Sequence, residues 1–211
     1  MQTPIILLAN GSYPSHPNPV KKLHTAGSII CCDGAVNQLS EKGFIPHIII
    51  GDLDSIEPKY KNKYKDKLYH IDDQNENDLR KAIIWLNKQR IEHVTILGAT
   101  GKREDHTIGN IFTILQFPMD FQCKIISDFG TFTPIKNNTQ LKSFSGEKVS
   151  IFSIDPTIKI SSNGLKYNIN RKNINSLYSC TLNESVGDFF EINISQGCIL
   201  VYQAFPTNND K

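Results

Sequence analysis

The 211 residues are 39% hydrophobic and 21% charged, enough apolar material for one large domain or two modest ones, and the net charge of +2 is too small to hold a polyanion. Nucleic acid is therefore not an expected partner, and the lysine–tyrosine run at residues 59–67 reads as a solvated linker face. No stretch approaches the about 20 apolar residues that span a bilayer, Met1-Gln2-Thr3-Pro4 lacks a basic leader, and the five cysteines show no metal-binding spacing, so a soluble, cytoplasmic protein with reduced core thiols and no membrane partner is expected.

In chain order, short Ile- and Val-rich runs at residues 5–9, 28–32, 47–50, 68–71, 94–97 and 124–127 read as strands. Their apolarity is continuous rather than alternating, which predicts a mostly parallel sheet covered on both faces. A helix over 35–42 is expected to stop at Gly43, with Pro46 beyond it. Leu79, Ala82, Ile83 and Leu86 share one helical face, as do Ile108, Ile111, Phe112 and Leu115. After Phe129 the helical period disappears, and strand-like runs follow one another between turn residues such as Asn163-Gly164 and Gln196-Gly197. The expected organisation is a Rossmann-like α/β domain over residues 1–133, followed by an all-β sandwich over 134–211, with the boundary among Gly130, Pro134 and Asn137.

In open parallel sheets, ligands bind at the carboxyl ends of the strands. Four expected strands end there in polar loops: Asp33-Gly34-Ala35, Gly51-Asp52-Leu53-Asp54-Ser55, Asp72-Asp73-Gln74-Asn75-Glu76-Asn77-Asp78, and Gly98-Ala99-Thr100-Gly101-Lys102-Arg103-Glu104-Asp105-His106. Asp33, Asn77 and Asp78 also suit helix N-caps. Asp52 and Asp54, two residues apart at the end of a buried strand, repel one another unless a cation sits between them, and Mg²⁺ prefers such oxygen ligands. Gly98 and Gly101 allow backbone amides to approach phosphate, and Lys102 and Arg103 can neutralise it. The loop is not a Walker A motif, because Gly101-Lys102 is followed by Arg103 and no glycine stands five residues before Gly101. His106 suits a structural hydrogen-bonder better than a general base.

Taken together, these four loops and the later Asn163-Gly164-Leu165-Lys166-Tyr167 segment resemble the thiamine pyrophosphokinases. The resemblance covers nearly the whole chain and implies a homodimer that transfers a diphosphoryl group from ATP to thiamine, with Mg²⁺ as cofactor. It implies Asp52, Asp54 and Asp73 as metal ligands. For the nucleotide it implies Asp33, Gly51, Ser55, Gln74, Asn77, Gly98, Gly101, Lys102, Arg103 and Asn110. Asp52, Asp54, Asp78, Arg103 and Asp105 are the implied catalytic set; in-line attack by a hydroxyl also needs a proton acceptor, for which Asp78 and Asp105 are the candidates. Thr181 and Asn183 match a Ser/Thr-rich stretch that lines the thiamine pocket. The chain departs from the pattern at Asn75, where relatives often carry a second acid, at Asn77, where they usually carry Thr, at Lys102, where Gly is usual, and at Leu182. The competing readings are a non-catalytic nucleotide- or thiamine-binding protein and a metal-dependent DxD phosphatase, whose motif normally ends the first strand rather than the third. A DxD glycosyltransferase is a further enzymatic alternative.

Overall fold

A computed structural model describes residues 1–206, which divide into two compact units with the division between Asp128 and Phe129. The first unit alternates strands and helices: β1 (Ile5–Leu8), α1 (Pro17–His24), β2 (Ser28–Cys32), α2 (Ala35–Glu41), β3 (Ile48–Gly51), α3 (Pro58–Lys63), β4 (Leu68–His70), α4 (Asp78–Asn87), β5 (His93–Leu97), α5 (Glu104–Gln116) and β6 (Gln122–Ile126). All six strands run parallel in the order β6-β5-β1-β2-β3-β4. Every residue of β1 and β2 is buried, as continuous apolarity requires of central strands covered on both faces. Burial of each such Ile or Leu side chain stabilises the fold by about 1.5–3 kcal/mol. Because parallel crossovers are right-handed, the order places α1 to α3 on one face and α4 and α5 on the other.

The local sequence explains most helix boundaries. Asn77 caps α4 by accepting the Arg80 amide at 2.9 Å, and Gly43, left-handed at φ +82°, follows α2 as expected. Asp33 does not cap α2: Gly34 occupies the N-cap position, and the Asp33 carboxylate turns away to accept from Ser55. Two helices lie where none is expected. Helix α1 starts at Pro17, where His16 caps the first turn, and the lysine–tyrosine run forms α3 and a following 3-10 turn (Lys65–Lys67), with Pro58 in its first turn. That run is a helix rather than a linker, and Tyr64 anchors it in the core at 4% exposure.

The second unit is all-β and antiparallel. Its strands are β7 (Gly130–Ile135), β8 (Thr139–Lys142), β9 (Lys148–Phe152), β10 (Lys159–Asn163), β11 (Lys172–Asn173), β12 (Asn183–Glu184), β13 (Phe189–Ile194) and β14 (Ile199–Ala204). They form two sheets, β12-β9-β14-β7 and β11-β10-β13-β8. Val149 and Ile151 of one sheet and Ile160, Phe190 and Ile192 of the other belong to one buried cluster, fed by alternating inward residues. The boundary expected after residue 133 falls inside β7. Pro134 does not end that strand, because its fixed φ suits extended backbone, and it stands in register with Leu200.

Candidate active site

The order of the first sheet reverses between β1 and β5, the two strands that leave the sheet centre with connections running in opposite directions. Beyond their carboxyl ends the chain continues in step: the Ala9 amide donates to the Leu97 carbonyl at 2.8 Å, Gly11 to Gly98 at 2.7 Å, and Ser12 to Thr100 at 2.8 Å. Glycine permits this approach. A Cβ on Gly98 would stand 2.5 Å from the Ala9 carbonyl oxygen, and one on Gly11 2.5 Å from that of Thr100. Lys102, itself left-handed at φ +60°, donates to the Asn10 carbonyl at 3.0 Å and to its side-chain oxygen at 3.1 Å, joining the two loops. Asn110, from the second turn of α5, donates to the Ala99 carbonyl at 2.9 Å.

A cleft of about 400 Å³ opens over these ends. Asn10, Gly11, Gly101, Lys102, Arg103, His106 and Asn110 line it, together with Asp52, Ser55, Gln74, Glu76, Asn77, Asp78 and Lys81. Its β1–β5 side therefore presents cations and glycine backbone, and its β3–α4 side presents carboxylates. Arg103 is exposed and forms a two-pronged ion pair with Asp105, at 3.1 and 2.5 Å, which lowers the Asp105 carboxyl to about 2.

The acids are arranged by β2, β3 and α4. Asp33, Asp52 and Asp54 each bring a carboxylate oxygen within 4.8 Å of the others. Two residues of this loop set are left-handed, Asp33 at φ +41° and buried Leu53 at φ +67°, and the latter's carbonyl is held by Lys61 at 3.0 Å. Gly51 makes the crowding possible: a Cβ there would lie 2.8 Å from that of Asp33 and 3.2 Å from Asp78 Oδ1. Asp33 is 1% exposed; its Oδ2 accepts the Ser55 amide at 3.2 Å, and its Oδ1 is buried with no hydrogen-bond partner. Burial raises the Asp33 carboxyl above its usual range. Burial, then the Asp33 charge, raises that of Asp78. Burial also pushes Asp52 up, but Lys81 overrides it and leaves that carboxyl low. A buried acceptor without a donor, inside an all-oxygen group, matches what a hard divalent cation needs.

The expected residues thus separate into groups. Asp52, Asp78, Ser55, Gln74, Asn77, Gly101, Lys102, Arg103 and Asn110 line one cleft, and Gly51 and Gly98 sit beneath it as close-approach positions. Asp33 joins Asp52 and Asp54, whereas Asp73 stands outside that three-carboxylate group and accepts the Asn75 amide at 2.9 Å. Asp105 is not among the lining residues described. In the second unit, Asn183 is 5% exposed and its side chain is tied to backbone, donating to the Tyr167 carbonyl at 2.8 Å and accepting the amides of Tyr167 at 3.1 Å and Glu184 at 2.9 Å. Thr181 donates to the Tyr178 carbonyl at 2.9 Å. Sequence reasoning missed Asn10, Gly11 and Lys81. The first two follow the first strand and were detectable by position, while a lone lysine in a helix carries no motif.

Comparison with known proteins agrees with the geometry. A family model described as "Thiamin pyrophosphokinase, catalytic domain" matches residues 20–127, and one described as "Thiamin pyrophosphokinase, substrate-binding domain" matches residues 130–202. Thiamin pyrophosphokinase 1 of Caenorhabditis elegans is 36% identical over 106 residues, covering 46% of this chain but only 43% of that protein. Thiamine pyrophosphokinase 2 of Oryza sativa subsp. japonica is 29% identical over 185 residues, covering 72% of this chain and 69% of the relative. In fold, the chain is similar to the solved thiamin pyrophosphokinase from Candida albicans, with a TM-score of 0.80 at 18% identity over 95% of this chain and 89% of that one. The two family models together span both structural units, and the chain belongs to the thiamin pyrophosphokinase family.

Proposed function

We propose that the chain transfers a diphosphoryl group from ATP to thiamine, giving thiamine diphosphate and AMP. The observation that carries this reading is the cleft itself, which sets a cluster of carboxylates with a partnerless buried oxygen opposite Lys102, Arg103 and glycine backbone. The reversal of strand order beside β1 supports the Rossmann-like reading, since nucleotide sites in α/β sheets accompany such a reversal. Asp33, Asp52 and Asp54 would hold Mg²⁺, with Asp73 as the further ligand that the family pattern suggests. When bound, that ion supplies neutralisation of the phosphate charge.

The chain's own residues do the rest. Lys102 and Arg103 draw the phosphates to the β1–β5 side, where Gly98 and Gly101 keep the backbone within reach, and Gly51, Ser55, Gln74, Asn77 and Asn110 shape the nucleotide cleft. Reaction by in-line attack of the thiamine hydroxyl on the β-phosphorus needs alignment and one proton acceptor. Between the two candidates, Asp78 is favoured: it lines the cleft and burial raises its carboxyl, whereas Arg103 holds Asp105 too low to act as a base. For the acceptor we assign Thr181 and Asn183, the latter acting through Tyr167, whose backbone it clamps while 66% of that residue stays exposed. The reading includes a homodimer, favoured by the exposed Tyr167, Tyr178, Leu182 and Phe189 of the second unit, and a cytoplasmic setting in keeping with five free cysteines. Among the described residues, no helix is long and apolar enough to cross a membrane.

The test is the nucleotide product formed from ATP, Mg²⁺ and thiamine, separated by chromatography. AMP in step with thiamine diphosphate is expected. ADP as the sole nucleotide product, or tight binding of both substrates without turnover, would overturn the assignment.

A further inference from the structure

Helix α4 begins at Asp78, and Lys81 follows one turn later on the same side as Asp78, away from the row formed by Leu79, Ala82, Ile83 and Leu86. A lysine so placed ordinarily snorkels to solvent. Lys81 does not: it is 2% exposed, and its Nζ lies 3.4 Å from Asp52 Oδ2 and 3.4 Å from Asp78 Oδ1. Its two partners come from different elements, one from the loop after β3 and the other from the first residue of α4. Nζ donates a long hydrogen bond to each, so a single ammonium is shared equally between two anions. Asp33 and Asp54 stand beside Asp52, so Lys81 is the charge that offsets an otherwise all-anionic group.

We infer that Lys81 is a resident counter-cation, a positioning residue that ties Asp52 to Asp78 and holds the carboxylate cradle together before any metal arrives. This rests on the cation-cradle part of the proposed function. The lysine takes one oxygen of Asp52 and leaves Asp33 Oδ1, Asp54 and the second Asp52 oxygen for an incoming ion. Because one positive charge is already present, the cradle attracts a bare divalent cation less than its acid count suggests, which favours entry of the ion together with the donor's phosphates.

The inference is tested on the full chain without nucleotide or thiamine, by thermal unfolding and by Mn²⁺ binding followed by electron paramagnetic resonance. Lys81→Met is expected to lower the metal-free Tm by about 10 °C, to regain most of the loss on addition of Mn²⁺, and to bind Mn²⁺ about 10-fold more tightly than the unmodified protein. The double variant Lys81→Met/Asp78→Asn is expected to recover stability without metal, because it removes one of the carboxylates left unpaired. A loss of Tm that neither Mn²⁺ nor Asp78→Asn repairs would show that the lysine stem merely fills space and would overturn the inference, as would unchanged Mn²⁺ affinity. If the single variant does not fold, a folded double variant supports the inference and an unfolded one refutes it. Neither readout involves turnover, so this outcome and that of the AMP assay are independent.

Discussion

At the scale of single residues, the acids and the glycines beneath them do different work and should fail differently. Asp54→Asn removes an anionic oxygen and relieves repulsion, so that variant should fold as stably as the parent, whereas Asp52→Asn also takes a partner from buried Lys81 and should be the less stable of the two; in both, kcat should fall by at least about 100-fold. Near-normal turnover at saturating Mg²⁺ in steady-state assays would exclude the assigned role. Gly51→Ala should instead cost stability, about 1–3 kcal/mol by urea unfolding, since its methyl meets Asp33 at 2.8 Å. Asn183→Ala leaves the amide and carbonyl of Tyr167 without partners; it should cost about 1–3 kcal/mol and raise the KM for thiamine more than that for ATP. Equal effects on the two substrates would place the acceptor elsewhere. The paired acids at 52 and 54 were legible in the sequence because carboxylates two apart after a buried strand need a reason. Lys81 was not, since its role depends on which side of α4 meets the loop after β3, and Asp33 as a member of the acid cluster was masked by its resemblance to a helix cap.

At the scale of elements, the strands were the most readable part of the chain. Continuous Ile and Val runs have few alternatives to a covered parallel strand, and the expected run over 28–32 coincides with β2. Helices α1 and α3 were hidden for one shared reason: proline marks both starts, and neither presents a clear apolar stripe. Helix α4 shows the opposite case, with an apolar row and a cap both visible. That cap makes a prediction at this scale: Asn77→Ala should cost about 1 kcal/mol in chemical denaturation by leaving the Arg80 amide unsatisfied, and Asn77→Asp should largely preserve stability. Because Asp78 and Lys81 ride on the first turn of that helix, fraying in the alanine variant should also lower kcat; unchanged kcat would mean that the first turn is held by the core alone.

For the molecule as a whole, the buried acids make stability depend on pH in both directions. In the second unit, burial raises the Glu147 carboxyl above its ordinary range, only partly offset by the Gln203 amide donating at 2.8 Å. A raised folded-state acid binds its proton more tightly than the unfolded chain does, so it favours folding as pH falls through the window between the two values and opposes folding above that window. Glu147→Gln should therefore be the more stable protein at pH 7 by thermal unfolding, with the difference vanishing as pH falls below the ordinary glutamate range; an advantage that persists unchanged into acid would refute the electrostatic cause. Assembly belongs to the same scale. The apolar residues exposed on the second unit predict a dimer mass by light scattering at micromolar concentration, and a monomer there would contradict it.

The buried thiols of β2 add one more consequence. Cys31 and Cys32 are 0% and 1% exposed, immediately before Asp33, and burial raises both thiols far above the range in which they react. An alkylating reagent can then modify them only in those rare moments when the middle of the sheet parts. They are a chemical clock set into the strand that carries the first acid of the site. Its rate, read by mass spectrometry on the intact protein, counts openings of that strand directly, and any cation that locks the neighbouring carboxylates should slow it.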